Sequence, residues 1–439
     1  MIKNLLQFFR PAPEKADLTE DPKYLKKLQW SVFLSATVGY GLYYVCRLSL
    51  SVVKKPLVDG GILTEQELGI IGSALFFSYA IGKFTNGFLA DRVNIKRFMA
   101  IGLIISSLVN IALGFSHSFW VFAILWGVNG WTQSMGAPSC VVGLSRWFTD
   151  KERGSYYGFW SASHNIGEAL TFIATAFVVS IAGWRWGFEV AGIAGLIGAV
   201  LVLLFFHDSP QSKGLVSVLP PKELEQSTKS MQLAVLKNPC IWILALSSAC
   251  MYISRYAINS WGIFFLENQK AYTSVEASSI IAVSSVCGIL GTVLSGWLSD
   301  KLFKGNRNFP ALIFGICNTI AITLFVFVPQ GYFAIDIFSM ILFGLSIGVL
   351  ICYLGGLMAV DIAPKKASGA ALGVIGIASY IGAGIQDILS GHLIGDSKKV
   401  VDSIAAYDFS SIRYFWVGAA AMSFILCAGL WRVNSRNLK

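Results

Sequence analysis

Long apolar stretches alternate with short polar ones along the whole chain. A helix that crosses a bilayer needs roughly 20 mostly apolar residues. Twelve blocks reach that length, near 29–53, 66–90, 97–116, 119–143, 154–181, 186–206, 239–265, 275–299, 309–329, 333–362, 367–394 and 413–432. Strands of a membrane β-barrel alternate over only about 10 positions, and these blocks do not. The longest polar interruption, 207–238, carries Pro210, Pro220 and Pro221 and divides the spans six and six. The pattern predicts an all-α membrane protein of twelve transmembrane helices. Its parts are a tail at 1–28, six helices at 29–206, a linker at 207–238, six helices at 239–432 and a tail at 433–439.

The halves repeat. Gly87-Phe88-Leu89-Ala90-Asp91-Arg92 follows the second span, and Gly296-Trp297-Leu298-Ser299-Asp300-Lys301 follows the eighth, 209 positions on. Two copies at matching places, each a small-residue helix end followed by an Asp-cation pair, imply two pseudo-repeated six-helix bundles. This arrangement resembles the major facilitator superfamily, whose halves are parallel repeats around a central site. Asp91, Arg92, Asp300 and Lys301 then read as gating residues that latch helix ends; plain solvation of a helix end is the competing reading.

Composition agrees. Of 439 residues 55% are hydrophobic and 13% charged, half the roughly 25% usual in soluble domains. The net charge of +10 raises nucleic acid as a partner, but loop placement accounts for it without one. Cytoplasmic loops collect Lys and Arg. With the N-terminus inside, the inner segments hold Lys15, Lys23, Lys26 and Lys27; Arg92, Lys96 and Arg97; Arg146, Lys151 and Arg153; Lys213, Lys222, Lys229 and Lys237; Lys301, Lys304 and Arg307; Lys365 and Lys366; and Arg432, Arg436 and Lys439. Lys54, Lys55, Lys398 and Lys399 are the exceptions, assigned to outer loops. Both termini are expected in the cytoplasm of a bacterial cell, with the chain in its inner membrane as a monomer. The run Leu5-Leu6-Gln7-Phe8-Phe9 is too short for a signal peptide and reads as a frayed tail, with a short interfacial helix as the alternative. The eight cysteines show no CxxC pairing and read as small packing residues. No Gly-rich nucleotide loop, metal cluster or nucleophile triad is present. Neither an enzyme, an ATP-driven pump nor a cofactor is therefore expected.

Charges inside the spans are the functional candidates, because each costs about 2.5–3.5 kcal/mol to insert at mid-bilayer. Arg47 and Arg255 lie 208 positions apart in the first and seventh spans, close to the repeat offset. One guanidinium from each half suits a dianion such as phosphate, whose oxygens match the fork; snorkelling to the outer interface is the alternative. Tyr40, Tyr44 and Arg47 share one helical face, as do Tyr252, Arg255 and Asn259. Tyr79 and Lys83 make a further i, i+4 pair. His164 lies mid-span with Glu168 one turn later, and Asp387 shares a face with Tyr380. Glu168 is expected to hold His164 charged or to pair with an arginine. The partners of Asp387 are not readable from spacing.

Arg153-Gly154, Trp160 and His164-Asn165-Ile166-Gly167 resemble the R-G-x5-W-N-x2-H-N-aliphatic-G-G signature of the organophosphate:phosphate antiporters. Ser161 replaces Asn, and Glu168 replaces the final Gly. Gly39-Tyr40-Gly41-Leu42-Tyr43-Tyr44-Val45-Cys46-Arg47 is similar to the family's first-span string. Ser299-Asp300-Lys301-Leu302-Phe303 and Ala363-Pro364-Lys365-Lys366-Ala367 also match. Arg255-Tyr256-Ala257-Ile258-Asn259-Ser260-Trp261-Gly262 resembles the hexose-phosphate branch, its membrane sensor included. The resemblance implies exchange of a hexose phosphate or glycerol 3-phosphate for inorganic phosphate, with Arg47 and Arg255 as phosphate ligands. Lys83, His164, Tyr40, Tyr44, Tyr79, Asn259 and Tyr380 would line the cavity. Leu48, Ser285 and Asn259 depart from the glycerol-phosphate pattern, and Glu168 and Asp387 are the expected replacement acids.

The expected mechanism is rocking of two bundles around one site. Without an anion the arginines repel, so the carrier returns only when loaded. Gly288, Gly291, Gly382 and Gly384 would let helices approach closely. A sensor signalling to a kinase, and a proton-coupled facilitator, are the alternatives.

Overall fold

A computed structural model describes residues 7–218, 229–303, 306–363, 368–401 and 404–430. Pro220, Pro221, Lys222, Lys304, the 364–367 run with Lys365 and Lys366, Arg432, the 433–439 tail and the side chains of Lys151, Lys229 and Asp300 lie outside the described residues.

The first half comprises α1 (Pro22–Asp59), α2 (Glu65–Ala90), α3 (Ile95–Gly114), α4 (Phe119–Gln133), α5 (Gly136–Trp147), α6 (Asp150–Ser161), α7 (Ser163–Ala182) and α8 (Trp184–Phe205). In the linker lies α9 (Lys229–Lys237). The second half comprises α10 (Pro239–Gln269), α11 (Ser274–Trp297), α12 (Asn308–Phe327), α13 (Phe333–Cys352), α14 (Met358–Ile362), α15 (Ser368–Asp396) and α16 (Ser410–Gly429). Ten helical stretches among the described residues are long and apolar enough to cross a membrane. The other two predicted spans are α1, whose 38 residues carry Arg47, Lys54 and Lys55, and the fourth block, which breaks into α4 and α5 at Ser134 and Met135. The unpaired apolar surface is outward: Phe115, Trp120 and Ile181 are 71%, 70% and 71% exposed. Water does not stabilise such a surface; lipid does.

The helices start where the sequence supplies caps. Each half opens on an Asx-Pro pair, Asp21-Pro22 and Asn238-Pro239, whose first side chain accepts from the first turn. Thr64 with Glu67, and Thr273 with Glu276, form capping boxes at the heads of α2 and α11. These boxes are also 209 positions apart. The internal repeat therefore marks both ends of the same helix pair.

Within the first half α1 packs on α7 and α8, α3 on α8 and α2 on α4; within the second, α11 packs on α13 and α10 on α15 and α16. The halves meet along α2 and α15, α7 and α11, and α1 and α10. One face of the bundle carries the N-terminal tail and the start of the linker. The opposite face carries a β-hairpin, β1 (Lys399–Val401) and β2 (Ile404–Ala406), paired antiparallel. The apolar pattern did not announce this hairpin.

The described part of the tail is not frayed. Phe8 and Phe9 carbonyls accept from Arg97 and from the Asn94 backbone, and the Phe9 ring lies 6.3 Å from that of Phe98. Ala12 donates to Asp208 at 2.8 Å, and Thr19 bridges to Leu215. Asp208 also accepts from the first backbone N–H of α3 and from Arg146. This one carboxylate ties tail, linker and two helix ends together, which is why the segment is ordered despite its weak apolar signal.

Candidate functional site

The spacing on α1 does place Tyr40, Tyr44 and Arg47 together, all buried. Arg47 is 4% exposed and Arg255 5%, so neither snorkels. The Arg47 guanidinium sits in an aromatic cage. The rings of Tyr79, Tyr44 and Tyr380 stand 4.5, 5.4 and 5.4 Å from its central carbon, and its Nη2 donates to the Tyr256 hydroxyl at 3.0 Å. Such desolvated cation–π contacts contribute up to about 2 kcal/mol each. The Nε of Arg47 has no hydrogen-bond partner among the described residues. A buried unused donor costs about 1–3 kcal/mol, and a phosphate oxygen is the kind of acceptor that removes that cost.

Arg255 faces the same ring from the other half. Its central carbon lies 5.5 Å from the Tyr256 ring, against 5.8 Å for Arg47. Its Nη2 donates to Glu168 Oε2 at 3.3 Å, and Asn259 donates to the other oxygen of that carboxylate. Glu168 therefore pairs with an arginine, one of the two outcomes expected of it. His164 lies 5.5 Å from the Tyr44 ring, between centroids. It lines a narrow cavity of about 20 Å³ with Asn165, Glu168, Arg255, Asn259 and Ser285. Asn165 Nδ2 and Ser285 Oγ there lack partners among the described residues. A second cavity of about 20 Å³ is lined by Arg47, Ser51, Gly72, Tyr256, Ser260 and Asp387. Arg255 thus borders one cavity and Arg47, with Tyr256, another, where the sequence suggested a single one.

Tyr79 and Tyr380 stack at 4.3 Å. Lys83 is exposed, 5.4 Å from the Tyr380 ring, on the side of the site toward the tail face. Tyr40 is further off, 4.9 Å from Trp160.

Asp387 does not join the arginines. Its Oδ1 accepts from Ser260 and Trp261 at 2.7 and 2.8 Å, with Lys54 Nζ at 3.8 Å. Lys54 donates to Ser260 at 2.8 Å and lies 3.6 Å from the Trp261 ring centroid. Lys54 is 1% exposed, so its assignment to an outer loop was wrong: α1 runs on to Asp59 and buries it. Lys398, likewise read as a loop charge, pairs with Glu65 at 2.8 Å, and Tyr407 donates to the same carboxylate. Burial and that carboxylate push the Tyr407 phenol up. The bonds of Lys54 and of Glu65 join the two halves between the arginines and the hairpin face, while Ser260 and Trp261 hold Asp387 from within the second half.

The helices there touch backbone to backbone. A Cβ on Gly69 would meet the Asp387 carbonyl at 2.5 Å and Gly391 Cα at 3.1 Å, and one on Gly72 would strike the Asp387 carboxylate. Gly72→Ala is therefore expected to lower the melting temperature in detergent, by an overpacking cost of about 1–3 kcal/mol. An unchanged melting curve would show that the seam is looser than described.

At the tail face Asp91 and Arg92 are exposed at the end of α2, where the Asp91 carbonyl accepts from Arg146. Lys301 is exposed in a π turn, and Arg307 pairs with Asp361 nearby.

Tyr256, Lys54, Ser260 and Trp261 were not among the site residues expected from the sequence. Two signals were available: Tyr256 stands 209 positions after Arg47, the repeat offset, and Lys54 stands seven after it, on the same helical face.

Residues 30–386 match the Major Facilitator Superfamily. A probable hexose phosphate transport protein of Chlamydia pneumoniae is 34% identical over 99% of this chain and 98% of its own. The membrane sensor protein UhpC of Salmonella typhimurium is 34% identical over 86% and 89%. Among solved structures, a bacterial homologue of the human lysosomal transporter Spinster, inward-facing and unoccupied, superposes with a TM-score of 0.74 at 17% identity, over 95% of this chain and 98% of that one. At that identity the likeness concerns the fold.

Proposed function

Since the chain belongs to the Major Facilitator Superfamily, in its organophosphate:phosphate antiporter branch, we propose that it exchanges a hexose phosphate, or glycerol 3-phosphate, for inorganic phosphate. The carrying observation is the pair of buried guanidiniums, one from each half, flanking Tyr256. In this reading the phosphate group takes the free Nε of Arg47, displaces the Tyr256 hydroxyl and reaches Arg255. It draws the halves together because a dianion between two forks is better satisfied than either fork alone. Lys83 adds positive potential and His164 hydrogen bonds at the rim, and Tyr44, Tyr79, Tyr380 and Asn259 contact the rest of the cargo.

The tail face is cytoplasmic in this reading, as its basic loops suggest, and the hairpin face is periplasmic. The Lys54–Asp387 and Glu65–Lys398 pairs are then the periplasmic clamp of a state open toward the cytoplasm. Alternating access breaks these pairs and closes the tail face, where Asp91, Arg92, Asp300 and Lys301 meet their partners.

Counterflow tests the proposal. Proteoliposomes loaded with unlabelled phosphate are expected to take up labelled phosphate transiently, and external glucose 6-phosphate is expected to compete. The sensor reading, suggested by the likeness to UhpC, predicts binding without counterflow.

A further inference from the structure

Glu168 stands in the wall of the first cavity, where a phosphate oxygen would otherwise face Arg255. Its two oxygens take hydrogen bonds from Arg255 and Asn259, the fork-and-amide arrangement that suits a bound anion. It is 2% exposed and crosses the boundary between halves, from α7 to α10. Glu168 stands where the signature that this segment resembles has glycine. The charged and titratable groups facing it are Arg255 from α10, Arg47 and Tyr44 from α1, and His164 from α7 itself. Where α11 and α13 line its cavity they present Ser284, Ser285, Thr292 and apolar residues.

Charge counting sets the problem. While Glu168 is ionised, Arg255 is neutralised and Arg47 alone is uncompensated among the groups of the two cavities that touch Tyr256. A dianionic phosphate then brings three negative charges to two guanidiniums. In a low-dielectric site like charges at contact distance are strongly unfavourable, so one negative charge has to leave or be neutralised.

We propose that Glu168 is the resident anion and the proton carrier of the site. It holds Arg255 while the pocket is empty. When a phosphate dianion takes Arg255, Glu168 binds one proton and crosses with the cargo as a carboxylic acid. The only covalent bond made is the O–H on Glu168, and it breaks when phosphate departs and Arg255 recaptures the carboxylate. The proton leaves to the side that receives the cargo, and no electron is transferred. The repulsion that would keep an empty carrier from returning is absent, because Glu168 has already cancelled one arginine. Net, proton-driven movement of the phosphorylated cargo therefore accompanies exchange. This inference rests on the phosphate-carrier reading.

Two measurements test it on the purified, reconstituted protein. The first is calorimetric titration with inorganic phosphate, well above its second ionisation, in buffers of different protonation heat. It is expected to give about one proton taken up per phosphate bound. The second is net phosphate accumulation under an imposed pH difference with the potential clamped. It is expected to rise about tenfold per pH unit, the equilibrium for one coupled proton. In Glu168→Gln, and in Glu168→Gly should the first variant fail to fold, the proton count is expected to fall to zero and accumulation to ignore the gradient. Phosphate binding by the wild type without proton uptake would overturn the proposal but spare the carrier reading, and so would a variant that still takes up one proton. No phosphate binding and no counterflow by the wild type would overturn the carrier reading itself.

Discussion

Replacing Arg47 with lysine is expected to abolish phosphate counterflow while the protein still inserts and folds. The substitution keeps the charge, so the loss isolates geometry. Arg47 enters the site with one donor on Tyr256 and an unused Nε beside it, a fork that can meet two oxygens of one phosphate. An ammonium is a compact point charge on a flexible stem and meets one. Each hydrogen bond to a charged group contributes about 1.5–3 kcal/mol. Losing one therefore weakens phosphate binding by roughly tenfold to more than a hundredfold. Lysine also stacks less well in the cage of Tyr44, Tyr79 and Tyr380. Counterflow at background, with an unchanged size-exclusion profile and helical circular dichroism, is the expected result. Full activity in Arg47→Lys would remove the bidentate role.

The second large effect concerns the clamp. Asp387→Asn leaves Lys54 buried at 1% exposure with its counter-charge gone. Breaking one side of a buried pair typically costs about 3–5 kcal/mol. The protein relieves that by releasing the Lys54 proton or by wetting the ammonium, and wetting means parting α1 and α2 from α10 and α15 at the hairpin face. Hydrogen–deuterium exchange is expected to speed up in residues 65–72 and 387–396, with counterflow slowed because the cycle rests in the wrong state. Lys54→Met combined with Asp387→Asn removes both charges and is expected to restore most of the protection, since a buried pair can be replaced by apolar groups at little cost. Equal protection in the single and double variants, both matching the wild type, would show that the pair does not hold the halves.

Much of this was legible in the chain because charge is rare in apolar blocks. Arg47, Arg255, Glu168 and Asp387 stood out for that reason, and the repeated Asp-cation pairs gave the two halves. Tyr256 did not stand out: a tyrosine in an apolar helix is ordinary until its hydroxyl is seen bonded to Arg47. Lys54 was lost because the first block was ended at its last apolar residue, while the helix continues through a residue whose charge is satisfied only by the other half. The pairing of Glu65 with Lys398 joins positions 333 apart, and no local period reports a contact of that range. The ordered tail is a similar case, held by one carboxylate, Asp208, that spacing alone could not connect to Ala12. The capping boxes at Thr64 and Thr273 were present in the sequence as the S/T-x-x-E pattern and strengthen the repeat beyond the motif that revealed it.

The glycine contacts of Gly69, Gly72 and Gly391 have a thermal consequence. Where backbone meets backbone, little hydrocarbon is hidden, so separating α2 from α15 there uncovers little apolar area to water. Heat-capacity changes scale with that area, at about 0.45 cal/K/mol per Å². The balance between the two access states should therefore follow a nearly straight van 't Hoff line, with its slope set by the hydration of Lys54 and Asp387 rather than by exposed oil.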